Sequence, residues 1–384
     1  MTHYRFLEPL DVLFLRGNKL FGDPGSYGES LIPPWPSVAA GALRSRILAD
    51  DGVNLSDFAA GRVSHHALGK LPDPNRGTPA EPGSFAITSF HLARRDAQGR
   101  IETLHPLPAD IVVTKRDDES VQVTLMKPQT PAAGLLSSSP LPQLVILAED
   151  KRAKPESGYW LNAKGWKHYL CGQALSAQED LVKASDLWQL DARVGVGLDA
   201  VTGRADDGKL FTVQAIAFKP GVGFLAGVIG ADLPTAGMVR LGGDGRGAAV
   251  HSVNDFKPVE PDYEAIAKSG RCRVVLTAPG LFAEGWKLPG LDSALNWQLG
   301  GLRAKIVAAA VPRAEVISGW DLAKWQPKPA QKVAPTGSVY WLENLTATSE
   351  ALRKLAECGL WLAPEDNSSR RAEGFNRFIL AAWR

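Results

Sequence analysis

The stretch Leu241-Gly242-Gly243-Asp244-Gly245-Arg246-Gly247-Ala248 narrows the choice of folds more than any other part of this chain. Its glycines free the backbone to take positive φ, so consecutive N–H groups can converge on one anion. Arg246 sits among them and offers a planar fork of donors suited to phosphate. Residues Ala248 to Val253 then read as a strand, which would anchor the loop on a rigid element. A nucleotide P-loop needs Lys-Ser or Lys-Thr after its last glycine and a helix beyond, and here Ala-Ala-Val follows. A dinucleotide fingerprint needs a βαβ unit opening at this point, and none does. Two readings remain: a glycine-rich hairpin turn, or an anion-binding loop carried by one.

The formal net charge is +2 over 384 residues, so contact with a polyanion has to come from local clustering. The length suffices for two domains, each with its own core. The three cysteines, Cys171, Cys272 and Cys358, are far apart and in no metal-ligand spacing, which fits a reducing cytoplasmic compartment. The N-terminus lacks an apolar signal core and Val222 to Ala231 is too short to span a bilayer, so the expectation is a soluble, cytoplasmic protein with no membrane partner. Neither a cofactor nor a metal is expected.

Along the chain, Tyr4 to Leu15 reads as a strand interrupted at Glu8-Pro9, followed by Arg16-Gly17-Asn18-Lys19. Ser37 is a candidate N-cap for a helix with Ala40, Leu43 and Ile47 on one face. Ser37, Gly41 and Arg44 share the adjacent stripe, which offers a hydroxyl, a gap where another chain can approach, and a guanidinium; a packed helix with Gly41 admitting a neighbouring strand explains it too. About 51–190 reads as an elaborated insertion with strands at Phe85 to His91 and Ile101 to His105. Within it, Trp160 to Leu170 mixes aromatics with Lys164, Lys167 and His168, either a stacking platform or a half-buried patch. Arg193 to Asp199 and Lys209 to Phe218 form two strands around a tip that carries Arg204. Val222 to Ile229 is a third strand leading to the glycine loop.

The order strand, helix, two strands, vestigial helix, strand is that of a ferredoxin-like, RNA-recognition-type βαββαβ unit. It recurs after Pro258: a strand at Cys272 to Ala278, an Ala-rich helix at Asn296 to Val311, strands at Ala314 to Trp320 and Gly337 to Leu342, a helix capped by Ser349, and a last strand at Phe375 to Trp383. The expected class is therefore α+β, with two tandem ferredoxin-like domains over 1–257 and 258–384, the first bearing the insertion and the glycine-rich loop 241–248.

Several motifs carry a family resemblance: Glu8 to Lys19, Pro33 to Ser37, Gly41 to Arg44, Arg193 to Asp199, Leu241 to Ala248, Ile317 to Asp321 and Glu373 to Phe378. Taken in that order they resemble the RAMP superfamily, and within it the third-subunit family of the Cmr effector complexes of type III-B CRISPR systems. The resemblance runs end to end and is weakest over the insertion. It implies a non-catalytic RNA-binding subunit that holds the 5′ repeat-derived handle of the crRNA and pairs with the large cyclase/polymerase-like subunit. It implies an adjacent RAMP backbone subunit as a second partner and only indirect contact with target RNA. Carried over residue by residue, Gly242, Gly243, Asp244, Gly245, Arg246 and Gly247 would face the handle, joined by Arg16, Asn18 and Lys19 and by Ser37 and Arg44. Arg204 would point toward the backbone subunit, and Asn376 and Arg377 would lie beside the second domain's own glycine turn. Trp35 or Phe375 could stack on a splayed base for roughly 1–3 kcal/mol.

Two rivals stand beside this reading. A RAMP-type endoribonuclease would use histidine as general acid and base, and His65-His66 is the tempting pair; Asp199, Asp206 and Asp207 could instead suggest a metal-dependent nuclease. Two loop histidines and an Asp-Asp-Gly turn explain the same residues without chemistry. A protein scaffold that never touches RNA is compatible with the near-zero net charge.

Overall fold

The computed structural model describes all residues except 18–26, 74, 117, 150–153, 200, 322–325 and 364–365. The fold is mixed, mostly antiparallel sheet with few helices. The chain divides into two compact units: residues 1–101, 185–256 and 316–331 form one, and 102–184, 257–315 and 332–384 the other. None of the helices among the described residues is long and apolar enough to cross a membrane.

In the first unit, β1 (His3–Pro9), α1 (Pro36–Asp50) and β2 (Ala86–Arg95) are followed by the long hairpin β3 (Trp188–Leu198) and β4 (Ala205–Phe218). Then come β5 (Val222–Ile229), β6 (Met238–Arg240) and β7 (Gly247–Val253). The main strands of this unit lie in the order β2-β5-β1-β7-β6, with antiparallel neighbours. Strand β5 is a continuous apolar run because all but its last residue are buried. Helix α1 differs from expectation at its start. Trp35 is the extended residue before it and Pro36 opens the first turn, so Ser37 is already inside and no side chain caps the end.

Strands β3 and β4 pair from Trp188↔Phe218 to Leu198↔Ala205, with β3 at the edge of its sheet. Leu190, Ala192, Val194, Val196 and Leu198 alternate onto one exposed face, while Asp191, Arg193, Gly195 and Gly197 take the other.

The second unit contains β8 (Cys272–Leu276), β9 (Asn296–Leu299), β10 (Leu302–Ala310), β11 (Val339–Thr346), α2 (Ser349–Cys358) and β12 (Phe378–Ala382). Its sheet runs β9-β10-β11-β8-β12, again antiparallel. The expected helix over Asn296 to Val311 is instead the β9–β10 hairpin. Gly300 and Gly301 both have positive φ, 58° and 84°, the pair of values a two-residue hairpin turn of the right twist requires. Ala-rich composition suggested a helix, but Leu302, Ala304 and Ile306 alternate with Arg303 and Lys305, and only the former three are buried. The stretch Ala314 to Trp320 carries only the short strands Glu315–Ile317 and Trp320–Asp321, outside this sheet. Helix α2 is capped by Thr348, whose hydroxyl accepts from the Ala351 amide at 3.1 Å, one residue before the expected Ser349.

The segment 102–184 is tied into this second unit by a buried polar trio. Arg273 of β8 donates from Nη1 to Asp110 Oδ2 at 2.8 Å and from Nη2 to the Tyr169 carbonyl at 2.7 Å. The Tyr169 hydroxyl donates to Asp110 Oδ1 at 2.8 Å, and the guanidinium lies 4.3 Å from the Tyr169 ring centre. Tyr169 belongs to the helix Ala163–Leu170, where Trp166 is buried and stacks on His105 at 4.1 Å. Its aromatics are core, so no stacking platform is presented there.

Candidate nucleic-acid interface

Strands β6 and β7 form a hairpin (Val239↔Ala248, Arg240↔Gly247), and the glycine-rich stretch is its connection. Left-handed backbone at Gly242 (φ 79°), Asp244 (57°) and Gly245 (64°) shapes the loop. The loop rests on the segment after β1. Gly243 N–H donates to the Phe14 carbonyl at 2.8 Å, and a Cβ on Gly242 would come within 2.8 Å of the same oxygen. Glycine at 242 thus permits both the conformation and the approach. Phe14 packs with Val12, Val213 and Ala215, and Leu13 exchanges two 2.9 Å backbone hydrogen bonds with Ile216 of β4. One small core therefore supports both the glycine loop and the β3–β4 hairpin.

The expectation that the loop amides converge as a set is met only in part. Leu241 N–H is spent on the Arg246 carbonyl, Arg246 N–H on Gly243, and Gly243 N–H on Phe14. The amides of Gly242, Asp244 and Gly245 have no partner among the described residues.

Two guanidiniums flank the loop, and both are already paired. Arg16 Nη2 lies 3.1 Å from Asp244 Oδ1, and Arg246 Nη1 lies 2.8 Å from Asp11 Oδ2. Both stand near the Phe14 ring, 5.9 Å and 5.1 Å from its centre. These ion pairs are partly exposed, so each contributes only about 0–1 kcal/mol and a phosphate can displace the carboxylate. Asn18 and Lys19 lie outside the described residues. Asp11 and Phe14, inside a motif already singled out, escaped sequence reasoning because their role appears only once β1 and β7 are adjacent.

On α1, Ser37 is half-buried and Arg44 stands over the Phe85 ring at 5.1 Å. Gly41 is exposed, and a Cβ there would meet nothing within 4 Å among the described residues, so no described strand packs against it. Arg204 sits at the exposed hairpin tip, where the Asp199 carboxylate accepts from Val201 N, Thr202 N and Thr202 Oγ1. Those bonds, the Thr202 amide's first, hold the Asp199 carboxyl below its ordinary value. Asp199 is thus the turn's own acceptor, and Asp206 pairs with Lys209. The side chain of Asp207 lies outside the described residues.

The C-terminal trio belongs to the second unit's interior. Phe375 has no exposed surface and Asn376 almost none. Asn376 Oδ1 accepts from Leu281 N at 2.6 Å, its Nδ2 donates to the Leu360 carbonyl at 2.9 Å, and Arg377 Nη1 donates to the Glu357 carbonyl at 2.6 Å. Base stacking by Phe375 is therefore excluded by its burial, and Trp35, 7% exposed, is in nearly the same position.

The model of the CRISPR-associated protein family Cas_Cmr3 matches residues 5–383. The chain belongs to the Cas_Cmr3 family. Among solved structures, this Cas_Cmr3 chain is similar in fold to one from "Cryo-EM structure of the Type III-B Cmr-beta bound to cognate target RNA and AMPPnP, state 1", at 15% identity and TM-score 0.50, covering 98% of each chain. A second, from "Cryo-EM structure of the Type III-B Cmr-beta bound to cognate target RNA", aligns at 15% identity and TM-score 0.44 over 88% of this chain and 86% of that one. No curated protein matches it.

Proposed function

We propose that this Cas_Cmr3 chain is a non-catalytic, cytoplasmic RNA-binding subunit of a type III-B CRISPR effector. It holds the 5′ repeat-derived handle of the crRNA and pairs with the large cyclase/polymerase-like subunit and an adjacent RAMP backbone subunit. The observation that carries this reading is the glycine hairpin, with the amides of Gly242, Asp244 and Gly245, unpartnered among the described residues, beside Arg16 and Arg246 in a chain of this family. Amides and guanidiniums together bind phosphate oxygens and set register, without which a fixed single-stranded handle cannot be placed. Asn18 and Lys19, which follow Arg16 in the sequence, add an amide and a further positive charge to the reading. Ser37 and Arg44 on α1, and Arg204 at the tip, serve neighbouring contacts. Gly41 supports the α1 assignment, because a mid-helix glycine with open space around it costs about 1 kcal/mol and leaves a flat surface for another chain.

The reading includes two ferredoxin-like domains in tandem, whose βαββαβ strands lie before and after residue 257, although segment 102–184 belongs to the second compact unit and 316–331 to the first. In support, β1-β2-β5-β7 and β8-β10-β11-β12 each stand in the spatial order second, third, first, fourth, the order of a βαββαβ sheet.

Crosslinking the assembled complex to guide RNA, with peptide mapping, tests the site. Crosslinks from 241–248 and from the segment 11–19 to the first guide nucleotides are expected. Their absence, with crosslinks elsewhere on the chain, overturns the assignment. Phosphate contacts should also give a log–log salt slope of about −0.7 each on single strands, whereas a pure scaffold gives a flat line.

A further inference from the structure

The pair His65-His66, which RNA binding leaves aside, lies where α1 ends. His65 is buried, and its Nδ1 accepts from the amides of Ala67 and Leu68, both at 3.2 Å. That leaves the ring proton on Nε2, which donates to Asp51 Oδ2 at 2.8 Å and fixes this carboxylate. His66 is exposed, with its ring 4.4 Å from that of His65. One ligand atom from each of Asp51, His65 and His66 lies within 4.8 Å of the others. Asp50, Asp51, His66 and Asp232 line a single cavity of about 100 Å³, room for an ion with its waters.

Three carboxylates line that cavity, and among the described residues one of them has a guanidinium partner. Helix α1 has no basic residue in its last turn, and Asp50 and Asp51 stand at the negative end of its dipole, where carboxylates are unfavourable. Arg46 pairs with Asp50 at 2.7 Å. Among the described residues no lysine or arginine pairs with Asp51 or Asp232. A bound cation would neutralise what the protein leaves uncompensated.

We propose that Asp51 and His66 are ligands of a divalent transition-metal ion, with Asp232 and water completing the set. This departs from the sequence expectation of no metal and does not depend on the RNA reading. His65 is not a ligand, because coordination by Nε2 would require a proton on Nδ1, where two backbone N–H groups already point. Imidazole with carboxylates favours the zinc class of ions over magnesium or calcium. Ligand atoms about 2.0–2.2 Å from such an ion stand roughly 3–4 Å apart, a contraction that rotation of the exposed His66 ring supplies.

The test is equilibrium dialysis of the full chain against Zn²⁺ alone, repeated with Co²⁺ to read its visible absorption. One equivalent retained, with affinity at least about tenfold weaker in both Asp51→Asn and His66→Gln, is the expected result. His66 is exposed, so H66Q folds and carries the test even if D51N does not. No retained metal in the wild-type chain, or wild-type affinity in H66Q, overturns the proposal.

Discussion

Arg16 and Asp244 face each other across 3.1 Å, so the loop that offers donors to a phosphate also carries the acid that competes with it. Asp244→Asn keeps the shape, since asparagine tolerates the left-handed backbone at φ 57°. It should tighten binding of single-stranded handle RNA by up to about fivefold, the worth of an exposed ion pair. Filter binding at fixed salt reads this directly, and weaker binding by the variant would mean that Asp244 serves the RNA rather than opposing it.

Arg246 is the opposite case. Arg246→Glu places a like charge beside both Asp11 and the phosphates and should reduce handle affinity by at least tenfold, while Arg246→Lys keeps the charge but loses the fork. An assembled particle that still loads guide RNA with Arg246→Glu in normal register would end the proposed role of the loop.

The glycines of the loop should differ in cost. At Gly242 a methyl group meets the Phe14 carbonyl at 2.8 Å as well as the left-handed penalty, whereas at Gly245 only the penalty of about 1–2 kcal/mol applies. Urea denaturation should therefore rank Gly242→Ala as clearly less stable than Gly245→Ala. Equal midpoints would mean the Phe14 contact is not kept in solution.

The buried trio in the second unit gives a larger number. Arg273→Ala strands Asp110 without a counter-charge and should cost about 3–5 kcal/mol. Tyr169→Phe removes one hydrogen bond to that charge and should cost about 1.5–3 kcal/mol. Replacing Arg273 and Asp110 together by apolar residues of similar volume should recover most of the loss, and a double variant as weak as the single would contradict the pairing.

His91, on β2, sets a pH window. Burial lowers its imidazole pKa to about 4 from an ordinary 6.5, so the folded state resists protonation and the unfolded state does not. Stability from this source is complete above pH 6.5 and declines as pH falls toward 4. His91→Asn should flatten that part of a stability–pH curve, measured as urea midpoints at pH 7 and pH 5.

Much of the layout is legible in the sequence where local pattern and tertiary outcome agree. Val222 to Ile229 reads as a buried strand because its apolar run is unbroken, and the Arg204 tip is framed by two apolar strands. Legibility fails where composition and alternation conflict. Ala304, Ala308, Ala309 and Ala310 argue for a helix, yet Arg303 and Lys305 between buried neighbours, and two glycines that can both turn left-handed, decide for a hairpin. It fails again for long-range partners. Nothing near Arg273 announces that Asp110, 163 residues earlier, will neutralise it. Phe375, Asn376 and Arg377 look like an exposed basic-aromatic motif because sequence carries no record of depth, and their hydrogen bonds to Leu281, Leu360 and Glu357 exist only in the folded chain.

The apolar row Leu190, Ala192, Val194, Val196 and Leu198 has a practical consequence. It lies on an edge strand whose outer backbone groups are a template for pairing with any extended peptide. Self-association of the free subunit in concentrated solution is thus expected to begin at this sticky rim. Val194→Lys, far from any core, should delay that association, read by light scattering, while leaving the urea midpoint where it was.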